Sequence, residues 1–405
     1  MKIEKIKSEF PIFRQKINGK QLVYLDSANS AQKPTQVIKK ISDFYETEFS
    51  NVGRSVHTLA VKATNRFEQT RDLVKNYLNA KYREEIIFTK SATESINLVA
   101  SSFGEKFLKS GDEILITELE HHSNYVPWHF LRKKKGVIIK FAPINKNGEI
   151  EIEEFKKLIS KKTKIIAITH LSNVTGAITP LKDIIELAKE KKIPVLVDGT
   201  QGAPHLKLDM QELDCDFYAI SCHKMYGPNG LGILYAKKNW LEELPPYQGG
   251  GGMISDVQKA EISFAPNFTK FEAGTMQTAE VVAFSESIKF IETLGIKNIE
   301  NHENELLNYG IEKLKKNNSI NILGNPKKRG SVISFTMKGV HPHDIATILD
   351  ESGVAIRAGH HCCQILHDKL GIPASARASI GVYNDKEDID IFCEAIENCK
   401  KVFNL

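Results

Sequence analysis

Residues 164–198 read KIIAITHLSNVTGAITPLKDIIELAKEKKIPVLVD, and this stretch decides the fold class. Two apolar runs of strand length, Lys164–Thr169 and Pro194–Asp198, flank Leu181–Lys189, which has the composition of a helix. Apolar runs that do not alternate with polar residues are typical of strands buried on both faces, as in a parallel sheet. The stretch therefore predicts a strand–helix–strand unit of an α/β protein.

The same texture continues on both sides of this unit. Further apolar runs are Glu85–Thr89, Glu113–Thr117, Phe217–Ser221 and Gly232–Ala236, and helical stretches are Glu94–Ser101 and Glu153–Ile159. After Gly274 a long amphipathic helix, Thr278–Leu294, leads into mixed helices and short strands such as Val332–Phe335. We predict an N-terminal arm over 1–20, a large domain with a mostly parallel sheet over 21–295, and a smaller α+β domain over 296–405.

Composition excludes several classes of protein. The 55 Lys and Arg nearly balance the 50 Asp and Glu among 405 residues, so the net charge of +5 does not indicate a nucleic-acid surface. No apolar run reaches the roughly 18 residues that a membrane span needs, and the first residues lack the apolar core of a secretory signal. Six cysteines without C-x-x-C spacing indicate a reducing compartment, and we expect a cytoplasmic protein.

Polar clusters follow three of the predicted strands, where sites form in open parallel sheets. Residues 90–94 (KSATE) open a helix, so its free N–H groups and the Thr93 hydroxyl could hold a phosphate. The simpler interpretation is a capped helix, because Ser91 and Glu94 have capping-box spacing. Asp198 ends an apolar run and would need a cationic partner, although it could also be a helix N-cap.

The third cluster is SCHKMYGP at 221–228, in which Lys224 follows a buried strand. A lysine against an apolar wall has a lowered pKa and becomes a nucleophilic amine; an ordinary surface lysine is the alternative. A phosphate site, a carboxylate and an amine on one sheet edge together match the needs of pyridoxal phosphate, which uses a Schiff-base lysine and a carboxylate beside its ring nitrogen.

Motifs along nearly the whole chain strengthen this interpretation. They are YLDSANSAQKP (24–34), ITELEHHSNYVPW (116–128), THLSNVTGAITPL (169–181), VLVDGTQGAPH (195–205), DFYAISCHKMYGPNGLGILY (216–235), FEAGTMQT (271–278), RAGHHCCQIL (357–366) and ARASIGVYN (376–384). With them the sequence resembles the Suf-type (group II) cysteine desulfurases of the class V aminotransferase superfamily. The resemblance implies a fold-type I pyridoxal-phosphate enzyme that converts L-cysteine to L-alanine and supplies sulfur for iron–sulfur cluster assembly.

The resemblance also implies roles for individual residues. Lys224 matches the Schiff-base lysine, Asp198 the partner of the pyridine nitrogen and Gln201 the residue that bonds the ring hydroxyl. His121 matches a catalytic imidazole stacked on the cofactor ring. The matches to phosphate-binding residues are Thr93, Ser221, His223 and, from the second subunit of a homodimer, Thr275.

Cys362 aligns with the cysteine that becomes a persulfide, and its basic and imidazole neighbours, which include His360 and His361, could favour a thiolate. The alternative is that Cys362 and Cys363 are two small buried hydrophobes. Asn173 and Arg377 match residues that hold the substrate carboxylate, and we expect Arg357 to assist in substrate binding. By resemblance the sulfur acceptor is a small Suf-type protein.

Two departures and two alternatives stay open at this point. Gly53 stands where many members have histidine, and Asn29 where many have a small residue. The same fold could serve a selenocysteine lyase or another aminotransferase-type enzyme. A zinc-binding module is the alternative of another class, but no usual zinc spacing, and hence no expected metal, is found among its candidate ligands, which are His341, His343, His360, His361, Cys362, Cys363 and His367.

Overall fold

The computed structural model describes residues 2–53 and 55–405. The α-helices are α1 Ile3–Ser8, α2 Thr35–Thr47, α3 Thr58–Tyr77, α4 Ala92–Phe107, α5 Val126–Lys135, α6 Ile152–Leu158, α7 Leu181–Glu190, α8 Met210–Leu213, α9 Lys238–Glu243, α10 Thr278–Leu294, α11 Ile296–Leu314, α12 Pro342–Glu351, α13 Gln364–Lys369 and α14 Lys386–Val402. Short 3-10 helices span Pro11–Arg14, Arg83–Glu85, His122–Asn124, Cys222–Lys224 and Asn267–Phe271.

The strands are β1 Lys16–Ile17, β2 Lys20–Gln21, β3 Val23–Tyr24, β4 Ile86–Thr89, β5 Glu113–Thr117, β6 Ile138–Ala142, β7 Thr163–Thr169, β8 Val195–Asp198, β9 Phe217–Ser221, β10 Gly232–Ala236, β11 Ile254–Val257, β12 Ile262–Phe264, β13 Ile320–Ile322, β14 Val332–Met337, β15 Val354–Ala355, β16 Arg357–Gly359 and β17 Ser375–Ser379. Seven of them form a central sheet in the order β4-β10-β9-β8-β7-β5-β6. Only β10 pairs antiparallel to its two neighbours. The expected α/β fold with a mostly parallel sheet is confirmed.

The central sheet is buried on both faces. In β5, Ile114 packs into one apolar cluster and Leu115 into the other, because successive side chains of a strand point to opposite faces. Ile87 and Phe88 of β4 divide in the same way. This two-sided burial explains why the sequence shows continuous apolar runs, and why the six predicted strands agree with the structure to within one residue at either end.

One strand of the sheet escaped the sequence-based prediction. Strand β6 lies at the sheet edge beside β5, and only Ala142 of its five residues is buried, with Ile138 45% exposed. Its sequence, IIKFA, therefore lacks the continuous apolar character of the inner strands. Edge strands face solvent on one side, so their sequences carry a weaker signal.

A second, four-stranded antiparallel sheet, β13-β14-β17-β16, packs with α11, α12 and α14. Gly295, at φ +79°, separates α10 from α11 at the predicted boundary between the domains. Residues just after the predicted arm also join this region, because β3 pairs parallel to β15. Lys7 of α1 forms an ion pair with Asp388 of α14 at 2.8 Å. The division into 1–20, 21–295 and 296–405 stays a prediction.

Candidate active site

A cavity of about 220 Å³ lies at the carboxyl end of the central strands. Loops that follow β4, β5, β7, β8 and β9 line it, as expected for an open parallel sheet. The predicted site residues on its wall are Thr93, His121, Asn173, Asp198, Gln201, Ser221, His223, Lys224, Arg357 and Cys362. The two predicted residues that do not line it are Thr275 and Arg377.

The start of α4 forms one end of the cavity. The Ala92 N–H donates to Ser221 Oγ at 2.9 Å, so the Ser221 hydroxyl proton remains available for an anion. Ser91 Oγ caps the helix by accepting the Glu94 N–H at 3.2 Å. The Glu94 carboxylate, however, accepts the N–H of Lys90, so the expected capping box is only half formed. Ser91–Thr93 thus present a capped helix N-terminus, which favours negative charge, beside Ser221.

Lys224 lies in the 3-10 helix directly after β9. Burial, together with the nearby positive charge of Arg377, lowers the pKa of its amine to about 8. Burial likewise lowers the pKa of His223 to about 4, and its Nδ1 lies 3.2 Å from Ser30 Oγ. A larger fraction of the Lys224 amine is therefore neutral near pH 7 than for a solvated lysine, which suits a nucleophile and a proton acceptor.

Asp198 and Gln201 form the floor of the cavity after β8. Burial raises the pKa of the Asp198 carboxyl, and Thr200 N–H donates to its Oδ1 at 3.0 Å. Gln201 Nε2 donates to the Ala28 carbonyl oxygen at 2.6 Å, whereas its Oε1 is buried without a hydrogen-bond partner among the residues that the structure describes. An unpartnered buried acceptor is costly, so this oxygen is suited to receive a donor from a bound group.

His121 enters the cavity from the loop after β5. Its Nδ1 accepts the Ser123 N–H at 3.1 Å, which leaves the proton of the neutral ring on Nε2. Burial and the charge of Lys224 lower its pKa to about 3, so the ring is neutral at physiological pH. The preceding Glu120 is buried, and burial raises its pKa to about 8; Asn124 Nδ2 donates to its carboxyl at 2.6 Å. Sequence reasoning had not singled out Glu120.

Cys362 lies at the tip of a tight turn beside the cavity. His361 and Cys362 both have left-handed backbones, at φ +51° and +57°. Asn173 Nδ2 donates to the His361 carbonyl oxygen at 2.8 Å, and the His122 N–H donates to that of Cys362 at 2.7 Å. The sulfur lies 3.7 Å from Arg357 Nη2, so a guanidinium faces the predicted nucleophile.

The neighbouring thiol is in a different environment. Cys363 is buried, its Sγ donates to Asn173 Oδ1 at 3.0 Å, and burial raises its pKa to about 12. It is therefore a protonated, inert thiol at physiological pH. His361 is also buried, with Nε2 3.0 Å from Ser375 Oγ, and burial lowers its pKa to about 2. The ring is neutral and supplies no positive charge to a Cys362 thiolate.

Two predicted residues, Arg377 and Asn173, have contacts that the sequence did not suggest. Arg377 is buried behind the cavity wall, where Nη1 donates to the Asn173 carbonyl oxygen at 3.2 Å and Nη2 to Asp26 Oδ1 at 3.1 Å. Its Nε has no hydrogen-bond partner within residues 2–53 and 55–405. Both polar atoms of the Asn173 side chain are bound to the Cys362 turn. Thr275 is exposed and lies outside the cavity of its own chain.

These features fit pyridoxal phosphate. A helix N-terminus with free hydroxyl donors suits the phosphate, and a buried carboxyl suits a cationic ring nitrogen. The unpartnered Gln201 Oε1 suits the ring hydroxyl, and the Lys224 amine with its lowered pKa suits an imine link. Across residues 2–53 and 55–405 there is no group of three His, Cys, Asp or Glu side chains arranged to hold a metal ion.

Comparison with known proteins agrees with this interpretation of the cavity. The family model described as Aminotransferase class-V matches residues 23–392. A protein of Halalkalibacterium halodurans named probable cysteine desulfurase is 46% identical over 403 residues, covering 100% of this chain and 99% of its own length. A Staphylococcus aureus protein of the same name is 47% identical over 403 residues, covering 99% of this chain and 98% of its own.

Solved structures share the whole fold. The crystal structure of the cysteine desulfurase CsdA from Escherichia coli, in its S-sulfonic acid form, superposes with a TM-score of 0.92 at 34% identity, covering 99% of both chains. The apo structure of a cysteine desulfurase from Thermococcus onnurineus gives 0.93 at 34% identity, covering 98% of both.

Proposed function

The chain belongs to the class V aminotransferase family and is a pyridoxal-phosphate-dependent cysteine desulfurase, and we propose that Cys362 is the thiol that takes the sulfur. The substrate is L-cysteine. In the proposed reaction the carbon–sulfur bond of the substrate breaks and a sulfur–sulfur bond forms on Cys362. The substrate carbon gains a proton and leaves as L-alanine, so the carbon is reduced while sulfur is oxidised and no outside redox partner is needed.

Cofactor binding is assigned to the cavity wall. We assign the phosphate to Thr93, Ser221 and His223, and the ring to His121, Asp198 and Gln201, with Lys224 as the covalent link. When bound, pyridoxal phosphate withdraws electrons from the α-carbon of the amino acid. A cationic ring nitrogen would favour the carboxylate form of Asp198, because the ion pair would offset the cost of its burial.

Lys224 is assigned the proton transfers at the substrate carbons. Its amine accepts the α-proton when neutral, and the lowered pKa of about 8 makes that form accessible near pH 7. Arg357 is assigned to the substrate carboxylate from within the cavity. By resemblance, Asn173 and Arg377 are assigned to the same carboxylate. Asn173 lies on the cavity wall and holds the Cys362 turn, whereas Arg377 lies behind the wall in an ion pair with Asp26.

A homodimer completes the proposed site. Thr275 is exposed, as expected of a residue that reaches the phosphate of a second subunit. The surface around α2 and α3 carries exposed apolar side chains, with Phe49 at 53%, Val56 at 94% and Leu59 at 49% exposure. Exposed apolar side chains in such number are typical of protein interfaces. We assign this surface to the subunit contact.

Within the cysteine desulfurases, we assign the chain to the Suf-type (group II) enzymes. In this assignment a small Suf-type protein accepts the sulfur, which is then used for iron–sulfur cluster assembly. The motif RAGHHC at 357–362 supports this assignment. The six cysteines are free thiols, which favours a reducing compartment such as the cytoplasm. None of the helices in the described part of the chain combines the length and apolar character needed to cross a bilayer.

One observation carries the assignment of Cys362: its sulfur lies on the cavity wall beside Arg357, whereas Cys363 is buried and hydrogen-bonded away from it. The experiment is to incubate the holoenzyme with L-cysteine and locate the added sulfur by mass spectrometry. We expect it on Cys362, and Cys362→Ser to bind cofactor but form no persulfide. The matched variant Cys363→Ser should retain most activity. Added sulfur on Cys363, or full activity of Cys362→Ser, would refute the assignment.

A further inference from the structure

A continuous line of hydrogen bonds connects the buried base of the site to the reactive sulfur. Arg377 Nη2 donates to Asp26 Oδ1 at 3.1 Å, and Asn29 Nδ2 donates to Asp26 Oδ2 at 3.1 Å. Arg357 Nη1 donates to Asn29 Oδ1 at 2.9 Å, and Arg357 Nη2 lies 3.7 Å from Cys362 Sγ. Asn29 is the link through which Arg357 connects to the ion pair of Asp26 and Arg377.

The base of this line is rigid. Arg377 is fully buried, and Asp26 bridges to Ser379 of β17 through the backbone. The Leu25 N–H donates to the Ala355 carbonyl oxygen at 2.9 Å, and the Asn29 N–H donates to that of Asp26 at 3.0 Å. The backbone that carries Asn29 is thereby held against both β15 and β17.

The outer end of the line is the Arg357 side chain, which must be held in one orientation to face the sulfur of Cys362. A free arginine side chain samples many rotamers, and holding it in one costs conformational entropy. The carboxamide of Asn29 supplies a donor toward Asp26 and an acceptor toward Arg357 from one planar group. By resemblance many family members have a small residue at position 29, and a small side chain without a carboxamide could not form both hydrogen bonds.

We propose that Asn29 is a positioning residue that holds the guanidinium of Arg357 beside the sulfur of Cys362. The role deepens the proposed function and rests on Cys362 as the nucleophile. The guanidinium, 3.7 Å from the sulfur, places a positive charge beside the thiolate, which is the form that attacks sulfur. Asn29 acts through Arg357 and does not itself contact the sulfur in this arrangement.

Apart from Arg357, several other charged or titratable groups surround Cys362. None of them is changed in the variants described below. They are Lys224 and His121 across the cavity, His122, His360 and His361 at the turn, Arg377 behind the wall, and Cys363 next in the chain.

The test measures the rate at which iodoacetamide alkylates Cys362 in the purified full-length protein, quantified by peptide mass spectrometry without substrate. We expect Asn29→Ala to slow alkylation near pH 7 by about threefold to tenfold, the effect of losing one hydrogen bond that holds the charge. The rate near pH 10, where ordinary thiols are ionised, should not fall. This contrast separates a loss of thiolate from a loss of access to the sulfur.

A double-mutant cycle tests whether Asn29 acts through Arg357. In an Arg357→Ala background, Asn29→Ala should have no further effect on the rate near pH 7. Asn321→Ala, at an exposed position of β13, is the matched control and should alkylate at the wild-type rate. An unchanged rate near pH 7, an equal loss at both pH values, or an additive loss in the Arg357→Ala background would overturn the proposal. Sulfur found on another cysteine after incubation with L-cysteine would refute the assignment of Cys362 as the sulfur acceptor. It would not change the alkylation rates measured here.

Discussion

Asn173 Nδ2 donates a hydrogen bond of 2.8 Å to the carbonyl oxygen of His361, the residue immediately before Cys362. Its Oδ1 accepts from Cys363 Sγ at 3.0 Å, so a single carboxamide holds the turn on both sides of the proposed nucleophile. His361 and Cys362 both have positive φ, a conformation that costs about 1–2 kcal/mol for an ordinary residue. The turn therefore depends on contacts from outside itself.

Asn173→Ala should loosen the turn around Cys362. We expect the free energy of unfolding to fall by about 1–3 kcal/mol, because a buried carbonyl oxygen and a buried thiol lose their partner. Chemical denaturation measures this change. Persulfide formation by Asn173→Ala should also fall, and its Cys362 should be alkylated at a rate that differs from the wild-type rate. A raised KM for L-cysteine with unchanged stability and alkylation would show instead that Asn173 acts on the substrate alone.

Lys224→Met should abolish turnover and yet stabilise the protein without cofactor. The pKa of Lys224 is about 8 in the folded state and 10.5 when solvated, so the unfolded chain binds more protons between these pH values. Stability consequently rises with pH across this window, and below it the buried charge is destabilising. We expect a gain of about 1–3 kcal/mol near pH 7 in urea denaturation.

Lys162→Met, at an exposed position, is the control for this comparison and should leave stability unchanged. Loss of stability in Lys224→Met, or normal turnover by it, would contradict the assigned environment of the amine.

Cofactor uptake by the apoprotein should depend on the same titration. The neutral amine of Lys224 is the form that condenses with an aldehyde, so the rate of imine formation should rise with pH and level off above about pH 8. An ordinary solvated lysine would still be gaining rate near pH 10. Stopped-flow absorbance after mixing with pyridoxal phosphate follows the reaction, and borohydride reduction should label Lys224. A label on another lysine would exclude the assignment.

Leu59→Glu should separate the proposed subunits. It places a charge on the apolar surface of α2 and α3, where burial without a partner is unfavourable. We expect a monomer in sedimentation velocity and a loss of activity, since Thr275 could no longer reach a second site. Val402→Glu substitutes another exposed apolar residue, at the end of α14, and should remain dimeric. A wild-type protein that is monomeric at full activity would rule out the shared site.

Much of the central sheet was predictable from sequence because burial on both faces leaves a local record. The runs Glu113–Thr117 and Phe217–Ser221 coincide with β5 and β9. Strand β6 left no such record, because most of its side chains are partly exposed. The cavity residues at or just after strand ends, such as Asp198 and Lys224, were also predictable, since strand ends in a parallel sheet meet at one edge.

The sequence by itself determined the buried strands of the central sheet, the residues at their ends, and the presence of two adjacent thiols at 362 and 363. Only the tertiary structure decided which thiol is buried against Asn173 and which one faces Arg357. It also decided that Arg377 pairs with Asp26 behind the wall and that Asn29 joins this pair to Arg357. Patterns of burial repeat along the chain and can be read locally, whereas a side chain's electrostatic environment is set by residues hundreds of positions away.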